Sequence, residues 1–255
     1  MRLEGKVAVV TGASSGIGKA PAELFVKEGA CVVGVARRGA VLEEIAASLE
    51  GQPGKLIPYV GDIASQETNE GMIDKAIEVF GKIDILVNNA GVIDQGMTTE
   101  HITNEVWDNT MQINLTAPMY ATRYFLQKKL GKEEPGNIVS VSSVGGNAHP
   151  LICGCAYAAS KAGLLQLTKH VAYAYGKRNI RCNAICVGAC PTTGIAATFT
   201  NPDMEGMAFS GAVNALSIRN AEPIELAQAI LFLSSDDASY VNGAILNVDG
   251  GWSAI

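Results

Sequence analysis

Residues 6–18 read KVAVVTGASSGIG, an unbroken apolar run that ends in a turn carrying Gly12, Gly16 and Gly18. A strand without polar alternation is what a sheet needs when both of its faces are covered. The glycine turn lets the backbone reverse sharply and approach a ligand, and helical patterning follows from Ala22 to Glu28. Strand, glycine turn and helix in that order make a cradle for pyrophosphate. Unpaired N–H groups at the helix start face the anion, and the missing side chains leave it room.

The same alternation runs along the whole chain. Strand-like segments fall at Lys6–Thr11, Ala30–Ala36, Lys55–Val60, Asp84–Asn88, Asn137–Ser142, Ile180–Cys186 and Ala244–Val248. Helical segments fall at Ala22–Glu28, Val41–Leu49, Gln66–Phe80, Val106–Leu130 and Ala159–Tyr175. This repetition predicts an α/β fold, a Rossmann-like doubly wound sheet of seven parallel strands with helices on both faces. No linker or low-complexity tract divides residues 1–255, so a single domain is expected. Residues 192–223 break the rhythm, and their apolar Ile195, Phe199, Met204, Met207 and Phe209 need a surface to pack on. So long an excursion in a compact fold reads as a substrate loop or lid.

Composition narrows the function. The chain has 255 residues, of which 48% are hydrophobic, 17% charged and only 6% aromatic, so its core must be built mainly from aliphatic side chains. Net charge is −6 and no Lys/Arg run occurs, which speaks against nucleic acid as a partner. The six Cys are Cys31, Cys153, Cys155, Cys182, Cys186 and Cys190, and the three His are His101, His149 and His170. None shows zinc-site spacing, and Cys31, Cys182 and Cys186 fall in strand-like runs where a thiol acts as a small hydrophobe, so no metal is expected. The N-terminal apolar run is too short for a signal peptide and nothing approaches a membrane span, so a cytoplasmic protein is expected.

In a parallel sheet the ligand crevice opens beyond the carboxyl ends of the strands. Six strands deliver polar or glycine-rich groups there: Thr11–Gly18, Arg37-Arg38, Gly61-Asp62-Ile63, Asn88-Asn89-Ala90-Gly91, Ser142-Ser143 and Val187-Gly188. A further stretch, AYAASKAG at residues 156–163, sets Tyr157 and Lys161 four positions apart among small residues. That spacing places both on one helix face. A phenol with an ordinary pKa near 10 transfers protons poorly at neutral pH, and bringing it into range takes roughly 3–4 kcal/mol of phenolate stabilisation. The Lys161 ammonium is expected to supply much of it.

Together, Gly12-x-x-x-Gly16-x-Gly18, Asn88-Asn89-Ala90-Gly91, Ser143 and Tyr157-x-x-x-Lys161 resemble the short-chain dehydrogenase/reductase family over essentially the whole chain, from Lys6 to the closing VDGGW at Val248–Trp252. The resemblance implies hydride transfer between a nicotinamide cofactor and a ketone or secondary alcohol. It implies that Tyr157 is the general acid/base, Lys161 its support and ribose contact, Ser143 the hydrogen-bond donor to the substrate oxygen, and Asn114 the holder of a relay water. Gly12, Ser14, Ser15, Gly16, Ile17 and Gly18 would cradle pyrophosphate. Asp62 and Ile63 would meet adenine; Asn89, Ala90 and Gly91 the adenosine side; Gly188, Cys190 and Thr192 the nicotinamide end. At the end of the second strand Ala36 offers no carboxylate to a ribose, whereas Arg37 can fork onto a 2′-phosphate, so NADP(H) is expected over NAD(H).

The resemblance leaves the substrate open among simple ketones, 3-oxoacyl thioesters, hydroxysteroids and sugar alcohols, and a catalytically silent dinucleotide sensor is the non-enzyme alternative. It also implies a homodimer or homotetramer paired through the helices near Val106–Leu130 and Ala159–Tyr175. Two departures stand out: Val187 where the family commonly has proline, and Pro21 inside the first helix.

Overall fold

The computed structural model describes residues 1–192 and 200–254. Seven parallel strands form one sheet in the order β3-β2-β1-β4-β5-β6-β7. They are β1 Val7–Thr11, β2 Cys31–Ala36, β3 Lys55–Val60, β4 Ile85–Asn88, β5 Gly136–Ser143, β6 Ile180–Val187 and β7 Ile245–Val248. This is the Rossmann-like architecture expected from the sequence. The chain winds outward to β3 and then returns to place β4 beside β1, so the strand order reverses between these two strands. A crevice opens at such a switch point because the connections leave in opposite directions.

All five residues of β1 are buried, and they alternate between two cores. Ala8 and Val10 pack with Phe25, Val26, Leu226 and Ile230 on one face. Val7 and Val9 pack with Met72, Ile73, Phe125 and Leu126 on the other. This is why the run is continuously apolar. The helices are α1 Gly16–Lys27, α2 Gly39–Ser48, α3 Gln66–Phe80, α4 Asn104–Met111, α5 Ala117–Leu130, α6 Cys155–Tyr175, α7 Met204–Asn214 and α8 Pro223–Ser234.

Three differences from the sequence reading have physical causes. The single helix expected over Val106–Leu130 is two helices joined by a π-helical turn, Gln112–Thr116, which carries Asn114. Such a turn inserts an extra residue into the helical ladder and turns its side chains. Helix α8 was not anticipated, although Pro223 opens it and Glu222 and Glu225 cap it reciprocally. Within the 192–223 excursion lies α7, whose N-cap Asp203 accepts from the Glu205 N–H; Ile195 and Phe199 fall outside the described residues. Pro21 is buried and α1 runs unbroken through it. Val187 is the last residue of β6, in register with Val248.

Candidate functional site

The site forms where the carboxyl ends of β1, β4, β5 and β6 meet the start of α6. Thr11, last residue of β1, is its joint on the dinucleotide side. Its Oγ1 accepts the N–H groups of Asn89 at 3.0 Å and Ala90 at 3.1 Å and donates to the Val87 carbonyl at 3.3 Å. The Asn89 amide donates back to the Thr11 carbonyl at 2.8 Å. The glycine turn and the Asn88–Gly91 loop are thereby fastened side by side. Asn88 is buried and reaches Thr122 of α5 instead.

The glycine turn fits a dinucleotide. Gly12 and Gly16 have φ of +74° and +53°, which side-chain-bearing residues rarely adopt. A Cβ at Gly12 would lie 2.7 Å from the Asn89 amide nitrogen, and one at Gly16 would lie 2.8 Å from Thr192 Oγ1. Ser15, the N-cap of α1, makes no side-chain cap, and the first turn holds no acidic residue, so the helix start keeps N–H donors for an anion. Thr192 thus stands against the glycine turn. Arg38 donates to the Ser14 hydroxyl at 3.1 Å, while Arg37 is exposed beside it. Asp62 accepts from the Ala64 N–H at 3.0 Å, and Ile63 packs on the core. Gly188 follows β6, its N–H donating to the Val248 carbonyl, and Cys190 is buried just beyond.

On the reacting side, Ser143 ends β5 and its Oγ accepts the Gly145 N–H at 3.0 Å. The Ser143 hydroxyl and the Tyr157 ring both border Gly145, where an added Cβ would lie 3.3 Å from Ser143 Oγ and 3.4 Å from Tyr157 Cε1. Tyr157 and Lys161 share a face of α6, with Nζ 5.7 Å from the ring centre. Lys161 is buried and donates to the Val141 carbonyl at 2.9 Å. Asn114, fully buried, holds the Val92 backbone with both ends of its amide, accepting at 2.8 Å and donating at 2.9 Å, and donates to Ser160 at 3.1 Å. Gly91 lies between Asn114 and Lys161. The catalytic candidates Asn114, Ser143, Tyr157 and Lys161 are therefore neighbours.

One expectation needs correction. The sequence suggested that Lys161 would lower the Tyr157 pKa. Burial instead pushes the phenol up, with further upward pressure from Cys153, Asp94 and Cys186, and only the neighbouring Ser143 hydroxyl pulls it down. Burial lowers Lys161 to about 8. Its ammonium is engaged by a backbone carbonyl, so within the chain it contributes no resolved acidification of the phenol.

Sequence reasoning named Thr11 and Arg38 only within strand-end stretches, without a role of their own, and missed Asp94. The first two lie inside the motifs already singled out. Asp94 belongs to no motif, yet its carboxylate accepts the Gly154 and Tyr157 N–H groups, each at 2.8 Å. The substrate-side walls are knit by similar long-range bonds. Ser210 of α7 donates to the Ile152 carbonyl, and Asp203 accepts from Thr98 and pairs with His101.

A parallel sheet, a glycine turn at its switch point and a Ser-Tyr-Lys cluster define a nicotinamide-dependent oxidoreductase. The family model described as Enoyl-(Acyl carrier protein) reductase matches residues 12–253. The chain belongs to the short-chain dehydrogenase/reductase family, NAD(P)-dependent oxidoreductases acting on CH–OH groups. It is 37% identical to 3beta-hydroxysteroid dehydrogenase 2 of Eggerthella lenta, over 99% of this chain and 96% of that one. It is 38% identical to the 3-oxoacyl-[acyl-carrier-protein] reductase FabG of Thermotoga maritima, over 98% and 99%. A solved structure from Beutenbergia cavernae with bound NADP at low occupancy superposes with a TM-score of 0.83 at 33% identity, covering 99% of this chain and 98% of that one. Among the described residues no helix is long and apolar enough to cross a membrane.

Proposed function

We propose that the chain is an NADP(H)-dependent dehydrogenase of secondary alcohols on an apolar skeleton, of the hydroxysteroid kind, with Tyr157 as general acid/base. The observation that carries this reading is the clustering of Ser143, Tyr157 and Lys161: Ser143 Oγ and the Tyr157 ring both border Gly145, and Lys161 Nζ lies 5.7 Å from the centre of that ring. Gly12, Ser14, Ser15, Gly16, Ile17 and Gly18 would hold the pyrophosphate, and Asp62, Ile63, Asn89, Ala90 and Gly91 the adenosine half. Lys161, Gly188, Cys190 and Thr192 would hold the nicotinamide half. When bound, the cofactor supplies or accepts the hydride.

The chain's own residues handle the proton. Burial keeps Tyr157 protonated, so in reduction it stands as the acid that gives its phenolic proton to the carbonyl oxygen. Ser143 donates a hydrogen bond to that oxygen as negative charge develops there. Lys161, anchored on the Val141 carbonyl, lies 5.7 Å from the centre of the phenol ring and holds it in place from one helical turn away. Asn114, held at Val92 and Ser160, keeps the helical turn behind Lys161 in place.

For the cofactor, Ala36 offers no carboxylate, and Arg37 and Arg38 follow β2 beside the glycine turn, where a guanidinium would suit a 2′-phosphate. For the substrate, Ile152 and Cys153 flank Tyr157, and α7 sets Met207 on Gly96 nearby. The Eggerthella lenta relative agrees with an apolar ligand, and α7, within the described part of the 192–223 excursion, would form part of its cover. The Thermotoga maritima relative supports a second reading, a 3-oxoacyl thioester reductase, although a net charge of −6 suits an acidic carrier protein poorly.

The test is NADPH and NADH oxidation with a panel of oxosteroids, simple ketones and 3-oxoacyl thioesters. Highest kcat/KM with NADPH and an oxosteroid is expected, with Tyr157→Phe nearly inactive and Arg37→Ala narrowing the preference for NADPH. Equal use of both cofactors would remove the NADP assignment, and preference for the thioester would select the second reading. A fully active Tyr157→Phe would remove the mechanism.

A further inference from the structure

The helix that carries Tyr157 begins without a cap of its own. Its N-cap is Gly154, which has no side chain to satisfy the first-turn N–H groups of α6. They are satisfied from the loop after β4. Met97 accepts the Cys155 N–H at 3.0 Å, and Asp94 takes the Gly154 N–H on Oδ1 and the Tyr157 N–H on Oδ2. Asp94 has no solvent exposure, and among the described residues no basic side chain pairs with it. A buried carboxylate without a counter-charge is costly, and here only the two N–H groups and the positive end of the helix dipole offset it. An apolar residue there would leave both N–H groups unpaired, and a neutral acceptor could cap them without burying a charge, so the carboxylate calls for a role.

The loop itself suggests one. At alternate positions it is tied to a different part of the site: Ala90 to Thr11 beside the glycine turn, Val92 to Asn114, and Asp94 to Tyr157. We propose that Asp94 is a positioning residue, holding Tyr157 by its own backbone N–H at a set place relative to the dinucleotide wall. This rests on the proposed role of Tyr157 as general acid/base. The fit at Gly154 leaves little slack, since a Cβ there would come within 2.7 Å of the Asp94 carboxyl carbon and would collide with the Met97 backbone. The negative charge of Asp94 also disfavours phenolate at Tyr157. Placement and protonation of the phenol are thus coupled to one side chain.

The experiment compares wild type, Asp94→Asn, Asp94→Ser and Tyr157→Phe in the full chain, following kcat, KM and the pH dependence of alcohol oxidation. Asparagine keeps the shape but turns an NH2 group toward one of the two N–H donors, and serine can cap only one of them. Each should lower kcat by about tenfold or more, because small misplacements of a reacting group are costly, with KM changed far less. Each should also move the midpoint of the pH profile downward, since the charge opposing phenolate is gone. Purely structural damage would lower the melting temperature and the active fraction without moving that midpoint, and such a result overturns the inference. So does wild-type kcat in both variants while Tyr157→Phe is inactive. A fully active Tyr157→Phe removes the catalytic reading and, with it, the role of Asp94.

Discussion

The ammonium of Lys161 donates to the main-chain carbonyl of Val141 at 2.9 Å, so the cation of the Tyr-Lys pair is anchored to strand β5. It is nearly solvent-free, and burial lowers its pKa from 10.5 to about 8. A base whose folded pKa is depressed binds fewer protons in the folded than in the unfolded state between the two values. Stability from this group therefore rises as pH climbs from about 8 toward 10.5.

Relative to Lys161→Met, the wild type should gain stability across that interval, by about 3 kcal/mol if the whole interval is spanned. Cysteine and tyrosine ionisations largely cancel in the comparison because both proteins share them. Urea unfolding of both proteins at several pH values measures the difference. A constant difference would mean that the ammonium is far better solvated than its surroundings indicate.

Thr11 Oγ1 accepts two backbone N–H groups, from Asn89 and Ala90. Thr11→Val keeps the shape and leaves both donors without that acceptor, which costs about 1–3 kcal/mol. For a chain of this size that corresponds to a melting temperature several degrees lower. Dinucleotide affinity should fall with it, because the two sides of the cradle come apart, and Thr11→Ser should restore most of both. Calorimetry and fluorescence titration with NADPH check this; a Val variant matching wild type in both would show that the joint carries no weight.

His101 Nδ1 lies 3.0 Å from Asp203, the N-cap of α7, with Glu100 and Glu205 as its other charged neighbours. The hydrogen bond to Asp203 raises the His101 pKa above 6.5, and hydrogen bonds from Thr98 and His101 lower that of Asp203 from 3.8. The raised His101 contributes its full stabilisation below pH 6.5 and loses it as pH rises through the shifted value. Asp203 contributes above pH 3.8 and loses its part as pH falls through its own shifted value. Helix Met204–Asn214 should be best docked between the two. Amide hydrogen exchange there, corrected for intrinsic rates, should quicken above the His101 transition, and His101→Gln should abolish the pH dependence.

Pro21 denies the Ile17 carbonyl its helical donor, a defect of about 3 kcal/mol in a helix interior. Pro21→Ala loses about two buried methylenes, near 0.8 kcal/mol each, and the proline's restriction of the unfolded chain, about 0.4–1 kcal/mol. The balance favours alanine by roughly 0.5–1 kcal/mol, so the melting temperature should rise by about one to three degrees. A fall would show that the ring's packing outweighs the missing hydrogen bond.

How much of this was legible in the chain depended on how local the cause was. Helix Gln66–Phe80 has the bounds its sequence predicts, because Ser65 caps its start and Gly81 leaves it with φ of 78°. The break between α4 and α5 was not legible. Asn114 in the π-turn is bonded to Val92 and Ser160, and nothing within Val106–Leu130 announces those partners. Asp94 was invisible for the same reason, since it recognises backbone N–H groups sixty and sixty-three positions away rather than a side chain that a motif could record.

By itself, the amino-acid sequence determined the doubly wound sheet, the glycine turn and the Tyr157–Lys161 spacing. Each follows from periodicity, backbone torsion or helical rise over a few neighbouring residues. Only the tertiary structure decided that Thr11 joins the cradle, that Asp94 holds the helix of Tyr157, and that burial raises the phenol while Lys161 turns to Val141. Those outcomes depend on desolvation and on hydrogen bonds between segments far apart in the chain, and such energies exist only once the layers have packed.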